Sequence, residues 1–388
     1  MLSGNARVST SPTVREIPNP ASLGSLAPGL SVTEESTPIL SWIEPSGTSK
    51  ALKFAAWNGQ SWAKPGTVLV NGELEADSAS PPTVVKLPSG ALVAVWSQVI
   101  KGKGKEEGNF LFAAASTTGG KSWSVPARIH SDTSVSEHSF DSVAVTGHDQ
   151  ATIVWLDSRD YKVKHRYRLM SVLVDSNGGL RDELTIDEDT CTCCPTAFVS
   201  TPTTALAAYR GHSPQEIRDI KIARRIEGKW QVPSTVHDDL WKINGCPVNG
   251  PALAINGNNL SVLWFTATND KAEIRFAISH DLGSTFRSPL TLDIQQEESR
   301  PVGHVAVALL DDGSAVCIWL QHRGDSTRIL GRKIAANSQL GKEFIIATGT
   351  ERGLGYPRMQ RTGKSVIVSW SGKTGLDVRT AIIEAAND

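Results

Sequence analysis

The sequence has no excess of charge of either sign, no long apolar run and no recognisable export signal. Its 388 residues carry 39 basic and 40 acidic side chains, a net charge of −1. This balance gives no indication of a nucleic-acid partner, which would call for a basic surface. No apolar run reaches the roughly 18 residues of a transmembrane helix, so no membrane span is expected. Residues 1–4 lead directly into polar sequence, which predicts either a cytosolic protein or one whose export signal has been removed.

A repeat of roughly 55 residues runs through the chain. Residues 251–286 show one unit clearly, because three short apolar runs alternate there with turns rich in Gly, Asn and Asp. The middle run of each unit ends on an aromatic residue, and successive aromatics are 54, 59, 54, 55, 55 and 51 residues apart. These seven aromatics are Trp42, Trp96, Trp155, Tyr209, Trp264, Trp319 and Trp370.

This period predicts an all-β fold, a single seven-bladed β-propeller of four-stranded antiparallel blades. The units are approximately 19–75, 76–133, 134–188, 189–240, 241–297, 298–348 and 349–388. The last unit has room for only three strands, and residues 5–18 could supply the fourth and close the ring, which removes exposed strand edges. A six-bladed ring is the alternative, but it requires one copy to be spurious. We expect one domain over residues 1–388 and a monomer.

Two turns carry a further repeated pattern. Residues 279–286 read SHDLGSTF and match the Asp-box pattern Ser-x-Asp-x-Gly-x-Thr-Trp/Phe, and residues 116–123 read STTGGKSW, a version without the Asp. In such a turn the Asp accepts backbone hydrogen bonds and the Gly takes a positive φ. Here the chain resembles the sialidase-like (BNR-repeat, Asp-box) β-propeller superfamily. Members are often exported, so the resemblance implies a secreted or periplasmic location.

Polar side chains cluster at two kinds of position in the predicted blades, the starts of the inner strands and the ends of the second strands. Both positions surround the mouth of a propeller channel, where loops on a rigid scaffold usually bind ligands. Unpaired charges are costly to bury, so a purely structural ring would need few of them there. The clustering therefore predicts a functional site at the mouth, and the resemblance implies a glycan or another anionic small molecule as its ligand.

The resemblance implies a sialidase-type site within this cluster. Such a site clamps the substrate carboxylate with three arginines, uses a Tyr activated by a Glu as nucleophile, and uses an Asp as acid/base. The matching clamp positions are Arg300 and Arg358 with either Arg159 or Arg210. The other matches are Tyr356 as nucleophile, Glu298 as its activator, and Asp141 or Asp157 as acid. The chain departs from the family at residues 15–18, REIP, where an Arg-Ile-Pro motif is usual, and in its seven rather than six units.

Four of the five cysteines lie at the starts of two consecutive inner strands. They could form two disulfides in an oxidising compartment, with Cys191 or Cys193 joined to Cys246, or with the neighbours Cys193 and Cys194 joined to each other. Alternatively, thiolates could bind copper or zinc together with a histidine. The metal ligands in that case would be Cys193, Cys194 and Cys246 with His138 or His304. The cysteines could also remain free thiols, and Cys317 is predicted to be a buried core thiol.

Three functions follow from these patterns. The first is a sialidase-like hydrolase that processes an anionic sugar at the channel mouth without a cofactor. The second is a metal-binding propeller that holds copper or zinc at the cysteine cluster. The third is a non-catalytic module that recognises a glycan or a protein at the mouth.

Overall fold

The computed structural model describes residues 12–32, 37–104, 106–372 and 377–384, which form seven antiparallel sheets. The inner strand of each sheet contacts the inner strands of its two neighbours, and these contacts close into a ring. The prediction of a seven-bladed propeller with four-stranded blades is confirmed, and the six-bladed alternative is excluded.

The strand bounds follow, with each blade given from its inner to its outer strand. Blade 1 comprises Leu26–Val32, Pro38–Ser46, Ser49–Ala56 and Gly66–Asn71; blade 2 comprises Thr83–Lys86, Leu92–Lys101, Glu107–Ser116 and Ala127–Arg128. Blade 3 comprises His138–Gly147, Gln150–Asp157, Tyr167–Asp175 and Leu180–Thr190. Blade 4 comprises Ala197–Ser200, Thr204–Arg210 and Ile220–Ile226, with Lys229–Trp230 and Ser234–Thr235 both paired to its third strand.

The later blades follow the same order. Blade 5 comprises Ala252–Asn256, Asn259–Thr266, Glu273–Ser279 and Leu290–Ile294; blade 6 comprises Ser299–Leu309, Ala315–Arg323, Ser326–Ile334 and Leu340–Gly349. Blade 7 comprises Arg358–Thr362, Ser365–Ser371 and Val378–Glu384, with Thr13–Ile17 outermost. The described helices are the short turns Tyr161–Lys164, Thr268–Asp270 and Glu351–Leu354, and none of them could cross a membrane.

The second strands are continuous apolar runs because both of their faces are covered by neighbouring strands and blades. Between blades 2 and 3, for example, Val93 and Val95 pack in one cluster with Ile153 and Trp155. Corresponding clusters fill the other spaces between blades. The core of the protein is therefore divided among the interfaces between blades, and burial of apolar area there stabilises the ring.

The aromatic residue at the end of each second strand is fully or almost fully buried. In several blades it also donates a hydrogen bond to a carboxylate on the mouth side. The Nε1 atoms of Trp264 and Trp319 each lie 2.7 Å from a carboxylate oxygen, of Asp239 and of Asp293 respectively. The remaining pairs of this kind are Trp42 with Glu44, Trp155 with Asp157, and the Tyr209 hydroxyl with Asp187.

The turn at residues 279–286 closes the third and fourth strands of blade 5 on the face opposite the mouth. Asp281 accepts hydrogen bonds from the backbone N–H and the hydroxyl of Thr285, at 2.9 and 2.7 Å. Gly283 has a φ of 74°, and Phe286 packs against the core between blades 4 and 5. These contacts hold the hairpin in one conformation.

The N-terminal strand completes blade 7, as predicted from the short last unit. Thr13–Ile17 pairs antiparallel with Val378–Glu384, and the hydroxyl of Thr380 donates to the carbonyl of Ile17 at 3.0 Å. Of the predicted closing segment 5–18, residues 5–11 lie outside the described part of the chain. The ring is thus closed by hydrogen bonds between the two ends of the sequence.

Deleting residues 1–18 should destabilise the ring for two reasons. It exposes the backbone edge of Val378–Glu384, and it removes the buried side chain of Ile17 from the core. We expect the Tm to fall by several degrees and the protein to aggregate more readily on heating, as measured by calorimetry and light scattering. Deleting residues 1–11 is the control, because it leaves Thr13–Ile17 in place. Equal Tm values for the two truncated chains would contradict the closing role of this strand.

Candidate functional site

The mouth face is the face of the ring on which the inner strands begin and the second strands end. A cleft of about 940 Å³ opens there between blades 5, 6 and 7. Of the residues predicted from the sequence, Arg300, His304 and Tyr356 line this cleft, together with Trp241 and His322. The structure therefore brings part of the predicted set together.

Tyr356 and His304 form a stacked pair in the wall of the cleft. Their ring centres are 3.7 Å apart and their planes differ by 15°. The Tyr356 hydroxyl donates to the carbonyl of Val248 at 2.7 Å, and His304 Nδ1 lies 2.9 Å from the carbonyl of Gly355, to which it donates. The two rings are held by backbone groups of blades 5 and 7.

A strained backbone segment places His304 in this position. Gly303 has a φ of 102° and His304 a φ of 48°, and the strand register shifts at this point. A Cβ atom on Gly303 would lie 2.0 Å from Oδ1 of Asn249, so only glycine fits. The same Asn249 oxygen accepts the backbone N–H of His304 at 3.0 Å. The inner-strand start of blade 6 is thereby fixed against that of blade 5.

Arg358 and Asp141 lie close together towards the centre of the ring. Arg358 donates from Nη2 to the carbonyls of Ser78 and Ala79, both at 3.1 Å. Asp141 Oδ1 accepts the Ser80 hydroxyl at 2.9 Å, while its Oδ2 is buried with no hydrogen-bond partner among the described residues. Burial raises the pKa of Asp141 to about 6, although the Ser80 hydrogen bond and the charge of Arg358 act in the opposite direction.

The other two candidate clamp arginines are engaged by the scaffold. Arg210 is 2% exposed and donates to the carbonyls of Asn249, Arg218 and Phe265 at 2.7–2.8 Å. Arg159 donates to both carboxylate oxygens of Asp157 and to Glu183. The structure does not bring these two guanidinium groups into the cleft with Arg300.

Glu298 and Asp157 also lie apart from the stacked pair. The Glu298 side chain is 82% exposed and is 3.9 Å from the guanidinium of Arg323. Asp157 is fully buried and accepts from Trp155 and Arg159. Burial raises its pKa, but the hydrogen bonds from Arg159 and the charge of His138 outweigh this, and the pKa of Asp157 lies below its usual range. These contacts therefore favour the ionised form of Asp157.

His138 belongs to a buried cluster between blades 2 and 3, which the sequence reasoning did not identify. Its ring stacks on His130 at 3.5 Å, and its Nε2 lies 3.4 Å from oxygens of Asp132 and Asp157. Burial and the neighbouring imidazole lower the pKa of His130 to about 3. Asp132, His138 and Asp157 are spaced as cation ligands would be, but both oxygens of Asp157 already accept hydrogen bonds.

The four clustered cysteines meet between blades 4 and 5, as predicted. Cys193 and Cys246 form a disulfide with a Cα–Cα distance of 6.0 Å. The free thiols of Cys191 and Cys194 are buried, with their Sγ atoms 3.4 Å apart. The hydrogen bond from Cys194 lowers the pKa of Cys191, whereas burial raises that of Cys194.

Neither of the histidines proposed as partners of these cysteines lies beside them. His138 Nδ1 faces the carbonyl of Asn109, and His304 stacks on Tyr356. Cys317 is a buried core thiol as expected, and burial raises its pKa. Of the predicted disulfides, the one between Cys193 and Cys246 is therefore present.

Comparison with known proteins identifies similar folds. The polysaccharide lyase Uly1 superposes with a TM-score of 0.58 at 8% identity, covering 93% of this chain and 90% of the lyase. A mutant α-L-arabinofuranosidase from Fusarium graminearum gives 0.50 at 10% identity, covering 97% of each chain. The Trypanosoma rangeli sialidase gives 0.48 at 13% identity, covering 93% of this chain and 60% of the sialidase.

At these identities the likeness is one of fold. The prediction of a β-propeller is confirmed by the seven sheets of this chain, and the similar structures include an α-L-arabinofuranosidase and a polysaccharide lyase. No family model matches the chain, and no curated protein is similar to it in sequence. The activity must therefore be argued from the site itself.

The raised pKa of Asp141 predicts a pH-dependent stability. Because the folded state holds this proton up to about pH 6 and the unfolded chain releases it near pH 4, Asp141 destabilises the fold as the pH rises through that interval. Asp141→Asn should remove this contribution. We expect urea titrations at pH 4 to 8 to show the wild type losing free energy of unfolding relative to the variant as the pH rises. A constant difference between the two proteins would contradict the buried position of the carboxyl group.

Proposed function

We propose that this protein is a glycan-processing hydrolase of the sialidase-like type, which acts on an anionic sugar in the mouth cleft. The observation that carries this proposal is the position of Arg300. Its side chain is exposed on the cleft that contains the stacked rings of Tyr356 and His304.

Arg300 has the freedom to bind a substrate. Its side chain makes no hydrogen bond or ion pair with any residue in the described part of the chain, whereas Arg159 and Arg210 are fully engaged. A guanidinium group matches a carboxylate with two parallel hydrogen bonds. A sugar that carries a carboxylate, such as a sialic or uronic acid, would provide the anionic partner that the Arg300 guanidinium does not find among the described residues.

The rest of the cleft suits a sugar ring. Trp241, Tyr356 and His304 provide flat surfaces, and the volume of about 940 Å³ lies within the range of roughly 300–1,000 Å³ usual for ligand sites. Lys242 adds a second positive charge to the lining, against the one carboxylate of Asp270. This combination favours the end of an anionic glycan over a neutral or cationic ligand.

The proposed reactive groups are Tyr356 and Asp141. In this proposal Tyr356 is the nucleophile, and Asp141, with a pKa of about 6, is a carboxyl group able to exchange a proton near neutral pH. Glu298 remains the proposed activator of Tyr356, and to act it must leave Arg323 and move in from the rim of the cleft. Arg358, beside Asp141, would stabilise the carboxylate that forms when Asp141 gives its proton to the leaving group.

The disulfide supports a proposed location. A bond between Cys193 and Cys246 persists most readily in an oxidising compartment. We therefore infer that the protein works outside the cytosol, in the periplasm or in secreted form, where polymeric anionic glycans are accessible.

Arg300→Ala should reduce the activity on sialic-acid- or uronic-acid-containing oligosaccharides, measured as release of reducing ends. Loss of one charged hydrogen-bonding partner, worth about 1.5–3 kcal/mol, corresponds to a decrease in kcat/KM of roughly 10- to 150-fold. Arg328→Ala is the matched control. It removes the same charge from a separate cleft of about 580 Å³ near the outer strands of blades 5 and 6, so activity should be retained.

Two results would contradict the proposal. Equal activity of the wild type and Arg300→Ala would exclude Arg300 as the carboxylate partner. Binding of these oligosaccharides by the wild type without any turnover would instead identify a recognition module, the third function considered from the sequence.

A further inference from the structure

We propose that Cys191 and Cys194 together hold one copper(I) ion, in a two-thiolate site behind the wall of the mouth cleft. The two Sγ atoms lie 3.4 Å apart on a single loop, and the thiols belong to residues separated by only two others. This site is independent of the proposed glycan chemistry.

The two thiols are buried, but they lie close to the surface. Cys191 and Cys194 are 0% and 1% exposed, while Thr192 and Cys193 between them are half-buried. In this proposal the ion enters by a movement of this loop. The loop adjoins the cleft, because Arg210 beside it donates to the carbonyl of Asn249, a residue of the cleft lining.

The number of available ligands favours copper(I). Cys193 and Cys246 are bonded to each other, so they offer no thiolate. No imidazole nitrogen or carboxylate oxygen of the described residues lies within 4.8 Å of both free thiols. Structural zinc needs about four ligands. Copper(I) prefers soft thiolates, and two of them can hold it once the Sγ atoms move apart from their 3.4 Å contact.

The surrounding charges favour an anionic complex. Arg218 donates from Nη1 to Cys191 Sγ at 3.3 Å, and its Nη2 pairs with Glu216 at 2.7 Å. Arg210 is buried with its hydrogen bonds directed to neutral carbonyls, and its charge acts on both sulfurs. Two thiolates with one copper(I) ion carry a charge of −1, which would lie beside the positive charges of Arg210 and Arg218.

Formation of the site is a ligand exchange without oxidation or reduction. One copper(I) ion binds, two S–H bonds lose their protons to solvent, and two copper–sulfur bonds form. The Cys193–Cys246 disulfide is unchanged, so the site requires no thiol reductant.

The first test is made on the full-length chain, purified without thiol reductant. Thiol counting after denaturation should give three free thiols per chain, from Cys191, Cys194 and Cys317. Titration with copper(I), kept reduced by ascorbate without oxygen and in competition with a chromophoric chelator, should then give one ion per chain. A count of one thiol would mean that Cys191 and Cys194 form a second disulfide, and this would overturn the proposal.

Variants identify the ligands. Cys191→Ser and Cys194→Ser should each weaken copper(I) binding by at least about 100-fold, as expected for loss of one of two ligands. The double variant Cys193→Ser/Cys246→Ser and the variant Cys317→Ser should still bind one ion. Loss of copper in either of these controls, with the fold intact by circular dichroism, would contradict the assignment.

X-ray absorption on the copper-loaded wild type gives a result that does not depend on variants folding. Two sulfur scatterers per copper are expected. Three or four sulfurs, any nitrogen ligand, or retention of zinc but not of copper would overturn the two-thiolate site.

Discussion

The contact between a buried aromatic side chain and a carboxylate on the mouth side is the interaction on which the rest of this structure depends. The contact lies at the end of the second strand in several blades, and its two partners often belong to neighbouring blades. Asp293 in the outer strand of blade 5 accepts from Trp319 of blade 6, and Asp187 of blade 3 accepts from Tyr209 of blade 4. The aromatic ring supplies buried apolar area, and the hydrogen bond fixes its orientation and the register of neighbouring blades.

This arrangement determines which charges remain for a ligand. Carboxylates held on the mouth face require cations, and Arg159 and Arg275 neutralise Asp157 and Asp239. Arg210 is held by carbonyls from blades 4 and 5 and the loop between them. Some of the arginines predicted near the mouth therefore bind groups of the scaffold, whereas Arg300 faces the cleft. Arg159 and Arg210 bind groups of the scaffold, so the proposed recognition of the sugar carboxylate depends mainly on Arg300.

The fold could be predicted from the sequence because the repeat period and the pattern of burial have the same cause, which is the packing of each blade between two others. Every second strand is covered on both faces, so each copy repeats an apolar run that ends on an aromatic residue. The site was harder to predict because side-chain direction depends on local irregularities. In blade 3 the register shifts between Ser139 and Ser142, and Phe140 has a φ of 56°. His138 therefore lies between blades while Asp141, three residues later, lies near the centre of the ring. Bulges of this kind leave no signal in the apolar pattern.

A crystal structure of the protein with a sialic- or uronic-acid-terminated oligosaccharide would test the central claim most directly. The account predicts the sugar carboxylate against the guanidinium of Arg300, with the sugar ring packed on the stacked pair of Tyr356 and His304. Binding in the outer cleft beside Arg328, or on the face that carries the turn at residues 279–286, would contradict it.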